Sequence, residues 1–188
     1  MNKNYILVFI SLLLFSCSTD EVNTPKPRGY FRITLPKSEY QNFVSSCPFT
    51  FEVSKNSVFT KHHSNNNCWF NIVYPKLNAT IHISYNPVIS NLKTLTEDSR
   101  SLVYKHTSKA QYINEKLFNK RESKVYGILY EIGGNAASNC QFFLTDSSHH
   151  FIRGALYFSN TPNIDSLAPV LDYIKTDIIK LIESTHWK

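Results

Sequence analysis

The feature that most limits this chain lies at its start. One Lys falls within Met1–Asn4, and an unbroken run of eleven apolar and Ser residues extends from Tyr5 to Phe15. A helix needs about 20 such residues to cross a bilayer. A charged start before a short apolar core is the pattern of a secretory signal peptide, which is removed from the mature protein. Residues 1–16 are therefore read as an address, and the fold has to come from the remaining residues in an exported, oxidising setting.

The end of that run is more specific. Leu14-Phe15-Ser16-Cys17 resembles the lipobox of bacterial lipoproteins, in which the Cys thiol receives a diacylglyceryl group and cleavage falls just before it. Ser16 supplies the small residue and Leu14 fits, while Phe15 is bulkier than usual at its position. The competing reading is an ordinary buried Cys in a hydrophobic helix. The resemblance implies a mature chain that begins at Cys17 and keeps 172 of the 188 residues. It would carry palmitate-type acyl chains, and two or more of these hold a protein stably where one is marginal. Ser18–Arg28 is polar, carries two prolines and has no apolar periodicity, so it reads as a tether. Its Asp20-Glu21 loosely resembles the acidic surface-export signal of Bacteroidota lipoproteins, which leaves periplasmic and surface-facing orientations open.

Residues 29–188 then form a single domain. The composition, 42% hydrophobic and 18% charged, is globular rather than disordered or collagen-like. The net charge of +6 comes from 20 Lys and Arg against 14 Asp and Glu. Most of the basic residues are scattered lysines, which argues for solubility rather than a nucleic-acid footprint.

Setting Cys17 aside as the anchor leaves Cys47, Cys68 and Cys140, an odd number. Cys47 and Cys68 open two apolar runs, Cys47–Val53 and Cys68–Tyr74, and a bridge between them is expected, with Cys140 a buried thiol. A zinc site using His62, His63 and Cys68 is the alternative, although no C-x₂-C spacing supports it.

Alternation and punctuation predict strands at Tyr30–Leu35, Phe49–Val53, Trp69–Tyr74 and Thr80–Tyr85. The period then changes: Leu92, Leu95, Ser99, Leu102, Val103 and His106 share one stripe of a helix within Asn91–Lys109. Strands resume at Tyr112–Lys120, Lys124–Ile132, Ser138–Thr145 and Phe151–Ser159, with turns at Gly133-Gly134-Asn135 and Asp146–His150. A last helix carries Leu167, Val170, Leu171, Ile174, Ile178, Leu181 and Ile182 on one face, with Asp165 as its expected N-cap. The expected class is α+β, an antiparallel sheet of about eight strands covered by two helices.

No phosphate loop, nucleophile elbow or HExxH is present. No catalytic residue, metal or cofactor is therefore expected. His149-His150 beside Asp146 and Ser147 suggests a triad only superficially, because all four crowd one hairpin tip. Asn78-Ala79-Thr80 matches the N-glycosylation triplet, and Asp165-Ser166-Leu167 resembles the O-glycosylation motif of Bacteroidota, making Ser166 a candidate acceptor. A helix start explains that second motif equally well.

Longer strings carry a wider resemblance. They include Pro27-Arg28-Gly29-Tyr30-Phe31-Arg32, Cys47-Pro48-Phe49-Thr50-Phe51, Cys68-Trp69-Phe70-Asn71-Ile72 and Pro75-Lys76-Leu77-Asn78-Ala79-Thr80-Ile81-His82. Further along come Glu97-Asp98-Ser99-Arg100, Tyr104-Lys105-His106-Thr107, Gly134-Asn135-Ala136-Ala137-Ser138, Gln141–Ser147 and Arg153-Gly154-Ala155-Leu156-Tyr157-Phe158. Together they look like the GldD gliding-motility lipoproteins of Bacteroidota, over nearly the whole mature chain. The resemblance implies an envelope lipoprotein, most readily of the outer membrane, that works with other gliding and type IX secretion proteins and brings no enzymatic activity. Strand and helix order also resembles the PsbP-type α/β/α sandwich.

The expected function is thus a lipid-anchored, non-enzymatic assembly or stability factor, with the membrane and envelope proteins as partners and no nucleic acid. The candidate docking residues are Gly134, Asn135, Ser138, Asp146, His149 and Arg153, taken from polar loops that folding alone does not require. The alternative is a small-ligand or peptidoglycan-binding module with a groove in which Arg100 or Arg153 sits.

Overall fold

The computed structural model describes residues 32–61 and 66–188. The signal peptide, Cys17, the tether, and His62 and His63 of the zinc alternative lie outside the described residues.

Seven antiparallel strands form the main sheet, in the order β4-β5-β6-β10-β9-β8-β7. They are β4 (Val58–Lys61), β5 (Phe70–Tyr74), β6 (Ala79–Pro87), β7 (Ala110–Lys120), β8 (Val125–Gly134), β9 (Cys140–Thr145) and β10 (His150–Phe158). Helix α1 (Leu92–Tyr104) joins β6 to β7. Helix α2 (Ile164–Glu183) comes after β10. Short pairs complete the fold: β1 (Tyr40–Asn42) with β3 (Glu52–Ser54), and β2 (Phe49–Thr50) with β11 (His186–Trp187).

Strand alternation sends side chains to two separate cores. Ile72, Ile81, Leu129, Phe142, Leu144, Ile152 and Leu156 meet Val170, Ile174, Ile178, Leu181 and Ile182 of α2. Tyr130, Ile132, Phe143 and Phe151 point the other way and meet Val103, Leu92 and Leu95 of α1. The result is an α+β sheet with one helix on each face. Strand β9 is covered on both sides and buried at every position, which accounts for its continuous apolar run.

Cys47 is bonded to Cys68, with Cα atoms 5.6 Å apart. The bridge ties the approach to β2 to the approach to β5. Beside it Phe43, Phe51 and Phe70 stack, with ring centroids 4.8 Å and 4.7 Å from Phe43. Cys140 is a buried free thiol.

Several expected elements take a different form. Residues 32–35 are not a strand; only Leu35 packs on the core, so alternation there has no face to bury. The expected strand Phe49–Val53 divides at Phe51 because its halves bond to different partners, β11 and β1. Its inward set Phe49, Phe51 and Val53 is nonetheless buried. Helix α1 stops at Tyr104, and the chain tightens through bonds from His106 N–H to Val103 and from Thr107 N–H to Tyr104. Strand β4 has no sequence signal, being exposed at all four positions.

Candidate functional site: the sheet face around α1

Helix α1 spans thirteen residues, too short to cover its face of a seven-stranded sheet. The part it leaves bare falls into two flanks, set by strand register. One cross-strand row runs Leu117, Ile128, Phe143, Arg153, Ser84. The next runs Glu115, Tyr130, Gln141, Ala155, His82, Asn71. Apolar residues therefore collect on the β7–β8 side of α1 and polar ones on the β10–β6–β5 side.

The apolar flank is a groove of about 330 Å³ lined by Leu117, Tyr126, Ile128, Phe143 and Thr145, among others. A second hollow of about 200 Å³, between Thr96, Arg100 and Tyr130, shares Ile128 and Phe143 with it. Leu117 is 76% exposed. Among the described residues, strand β7, which carries it, is an edge strand of eleven residues, offering unpaired backbone groups along its outer side. Arg100 does not enter the interior. It lies over the Tyr104 ring, 5.2 Å from its centroid, and pairs with Glu115 at 3.8 Å, bridging α1 to β7.

The polar flank centres on Arg153, whose Nη2 donates to Gln141 Oε1 at 2.6 Å. Burial lowers the guanidinium's pKa from its ordinary value, with Tyr157 working the other way. Among the described residues no carboxylate is paired with it. Gln141 is 1% exposed, and its Nε2 has no hydrogen-bond partner among the described residues. Flipping the amide would aim donors at the guanidinium, so the assignment of oxygen and nitrogen is fixed by chemistry. His106, just past α1, has its pKa lowered by burial first and by the charge of Arg153 second. On the rim, His82 packs edge-on against Tyr157 at 5.4 Å and shares a 2.7 Å hydrogen bond with Asn71.

The six expected docking residues do not form one surface. The Gly134–Ser138 loop precedes β9 and the Asp146–His150 loop comes after it, so about 20 Å of extended chain separates them. The first loop is also not the exposed polar segment expected. Ser138 and Ala136 are buried, and Asn139 Nδ2 donates to the Ile132 and Gly134 carbonyls at 2.8 Å and 2.9 Å. Gly134 is buried with φ +88°, where a side chain would be strained. Asn135 is exposed, but its Oδ1 accepts from the Ile164 N–H at 2.9 Å. It thus supplies the cap of α2 from another loop. Asp165 lies in the first turn, and the N-cap position is Asn163.

Asp146 organises its own turn, accepting from the N–H groups of Ser148, His149 and His150 at 3.0, 2.8 and 2.8 Å. Burial raises its pKa, and those backbone donors overcome it and hold the carboxyl at about 2. His149 is exposed beside it. Ser166 is exposed in the first turn of α2. Among the described residues, no group of three or more His, Cys, Asp and Glu side chains could hold a metal ion. Gln141 is not among the expected site residues. Its signal is a primary amide inside the apolar run Cys140–Leu144, in a strand buried on both faces.

With this geometry in hand, comparison with known proteins gives one decisive match. The sequence model of the gliding motility lipoprotein GldD covers residues 20–187. The chain belongs to that family. A GldD-family chain is a lipid-anchored protein of the cell envelope associated with gliding motility. No curated protein matches the chain. Among solved structures it is similar to cyanobacterial PsbP (CyanoP) from Synechocystis sp. PCC 6803, at 9% identity and a TM-score of 0.49, over 82% of this chain and 95% of that one.

Proposed function

We propose that this GldD-family lipoprotein is a non-enzymatic assembly factor that docks another envelope protein of the gliding and type IX secretion machinery. The observation that carries the reading is the apolar groove beside α1, with Leu117 standing open at its mouth. An uncovered apolar hollow running into a free sheet edge offers a partner both side-chain burial and backbone pairing. The anchor is Cys17, and the membrane is the outer one. Cys17→Ala would then abolish lipid labelling and leave an uncleaved or mislocalised precursor; labelling that persisted would refute the anchor.

The docking claim is tested by Leu117→Asp. An exposed side chain contributes little to folding, within about 0.5 kcal/mol, so abundance and melting should hold. Complementation of a strain lacking the gene should lose spreading and secretion. Val44→Asp, at a position 91% exposed and outside the groove, is the matched control and should complement. Full complementation by Leu117→Asp would refute the groove as the docking surface.

A further inference from the structure

We infer that the Arg153–Gln141 pair is a binding site for a single carboxylate, on the α1 face of the paired strands β9 and β10. The inference concerns the opposite flank of α1 from the docking groove and stands independently of it.

Two observations converge. A guanidinium largely withdrawn from water normally has a carboxylate opposite it, because a buried unpaired charge is costly. Among the described residues, Arg153 has only a neutral amide oxygen opposite it, at 2.6 Å. That same amide leaves its Nε2 buried and, among the described residues, without a partner. Nε2 and Oε1 share one carbon, so the orphan donor lies within an amide's width of the guanidinium edge. A cation without a counter-charge and, beside it, an N–H donor without an acceptor are complementary to one group bearing two oxygens and one negative charge.

The charge balance favours a carboxylate over a phosphate dianion. The basic group that feels its charge, His106, is held toward its neutral form by burial and by Arg153, so Arg153 supplies the positive charge of the site. Tyr157 and His82, packed edge-on against each other, form the aromatic rim of this flank. The carboxylate could belong to a free small acid or to the chain end of a protein, and the test separates these.

The full chain, in detergent, is titrated with sodium acetate while the Arg153 Nε–H and Gln141 side-chain NH₂ resonances are followed by NMR. Sodium chloride at equal ionic strength is the reference. Saturable shifts with acetate alone are expected, weakened about tenfold or more in Arg153→Lys and in Gln141→Leu, since each loses part of a charge-assisted pair. N-acetyl-Ala-Ala with a free carboxylate should act likewise, and its C-terminal amide should not. Binding of that peptide tighter than acetate assigns a protein chain end; equal binding assigns a small acid. Either result supports the site. Shifts no larger than those from chloride, or an unchanged response in both variants, would overturn it.

Discussion

Tyr74→Phe probes the buried polar centre that pins α2 to the sheet. Asp177 of α2 is 3% exposed and accepts from Tyr40 at 2.9 Å and Tyr74 at 3.1 Å. Burial raises its pKa from the ordinary carboxylate value, against the pull of the hydrogen bonds from Tyr40, Tyr74 and Ser54. A carboxyl with a raised native pKa stabilises the fold below its unfolded pKa, and that contribution is lost as pH rises through the native value. Removing the Tyr74 hydroxyl raises the native value further, so the variant suffers most where Asp177 is ionised. A hydrogen bond to a charged group contributes roughly 1.5–3 kcal/mol and one to a neutral group about 1. The substitution should therefore cost about 2 kcal/mol near pH 7, and about half that near pH 4. For a chain of this size, 2 kcal/mol is a fall of about 4–8 °C in Tm. Urea titrations at both pH values, followed by circular dichroism and compared with the unsubstituted protein, measure the difference. A cost below about 0.5 kcal/mol at neutral pH, or one that grows on acidification, would refute the reasoning.

Three further outcomes are expected from the same structure. Reducing the Cys47–Cys68 bond, which spans 21 residues of sequence, should lower stability by roughly 3 kcal/mol in the chain-entropy account; an unchanged urea midpoint under reductant would contradict it. Burial first, and Glu131 second, push the Cys140 thiol up to about 12. Iodoacetamide should therefore leave Cys140 unmodified in the native protein and alkylate it on unfolding, and rapid native labelling read by mass spectrometry would be the contrary result. Asn135→Ala removes the acceptor for the Ile164 N–H and should cost about 1 kcal/mol, seen as a Tm lowered by about 2–4 °C; no change would show that water replaces the cap.

The sequence made legible whatever depends on period and on local chemistry. The stripe from Val170 to Ile182 is the buried side of α2. The inward alternation of Phe49, Phe51 and Val53 survives even though that strand divides. Periodicity cannot carry the pairing of residues across long separations. Tyr40 and Asp177 are 137 positions apart, and neither signals the other. Asn135 reads as a turn residue, and only the fold shows that its side chain caps a helix 29 positions later. Strand β4 is exposed at every position and is a strand because β5 offers it an edge. The two candidate loops look alike in composition, and only the register of β9 shows that they lie at opposite ends of one strand. Arg153 was visible as a residue. Its setting became visible only with Gln141 beside it.

The docking role proposed for this protein turns on whether the groove beside α1 holds a protein partner. A photo-crosslinking residue placed at position 117 in living cells decides it, with position 44 as the exposed control. One discrete adduct is expected from position 117, containing a protein of the gliding or secretion machinery and absent from position 44. No adduct at 117, or the same adducts from both positions, would show that the groove holds no such partner.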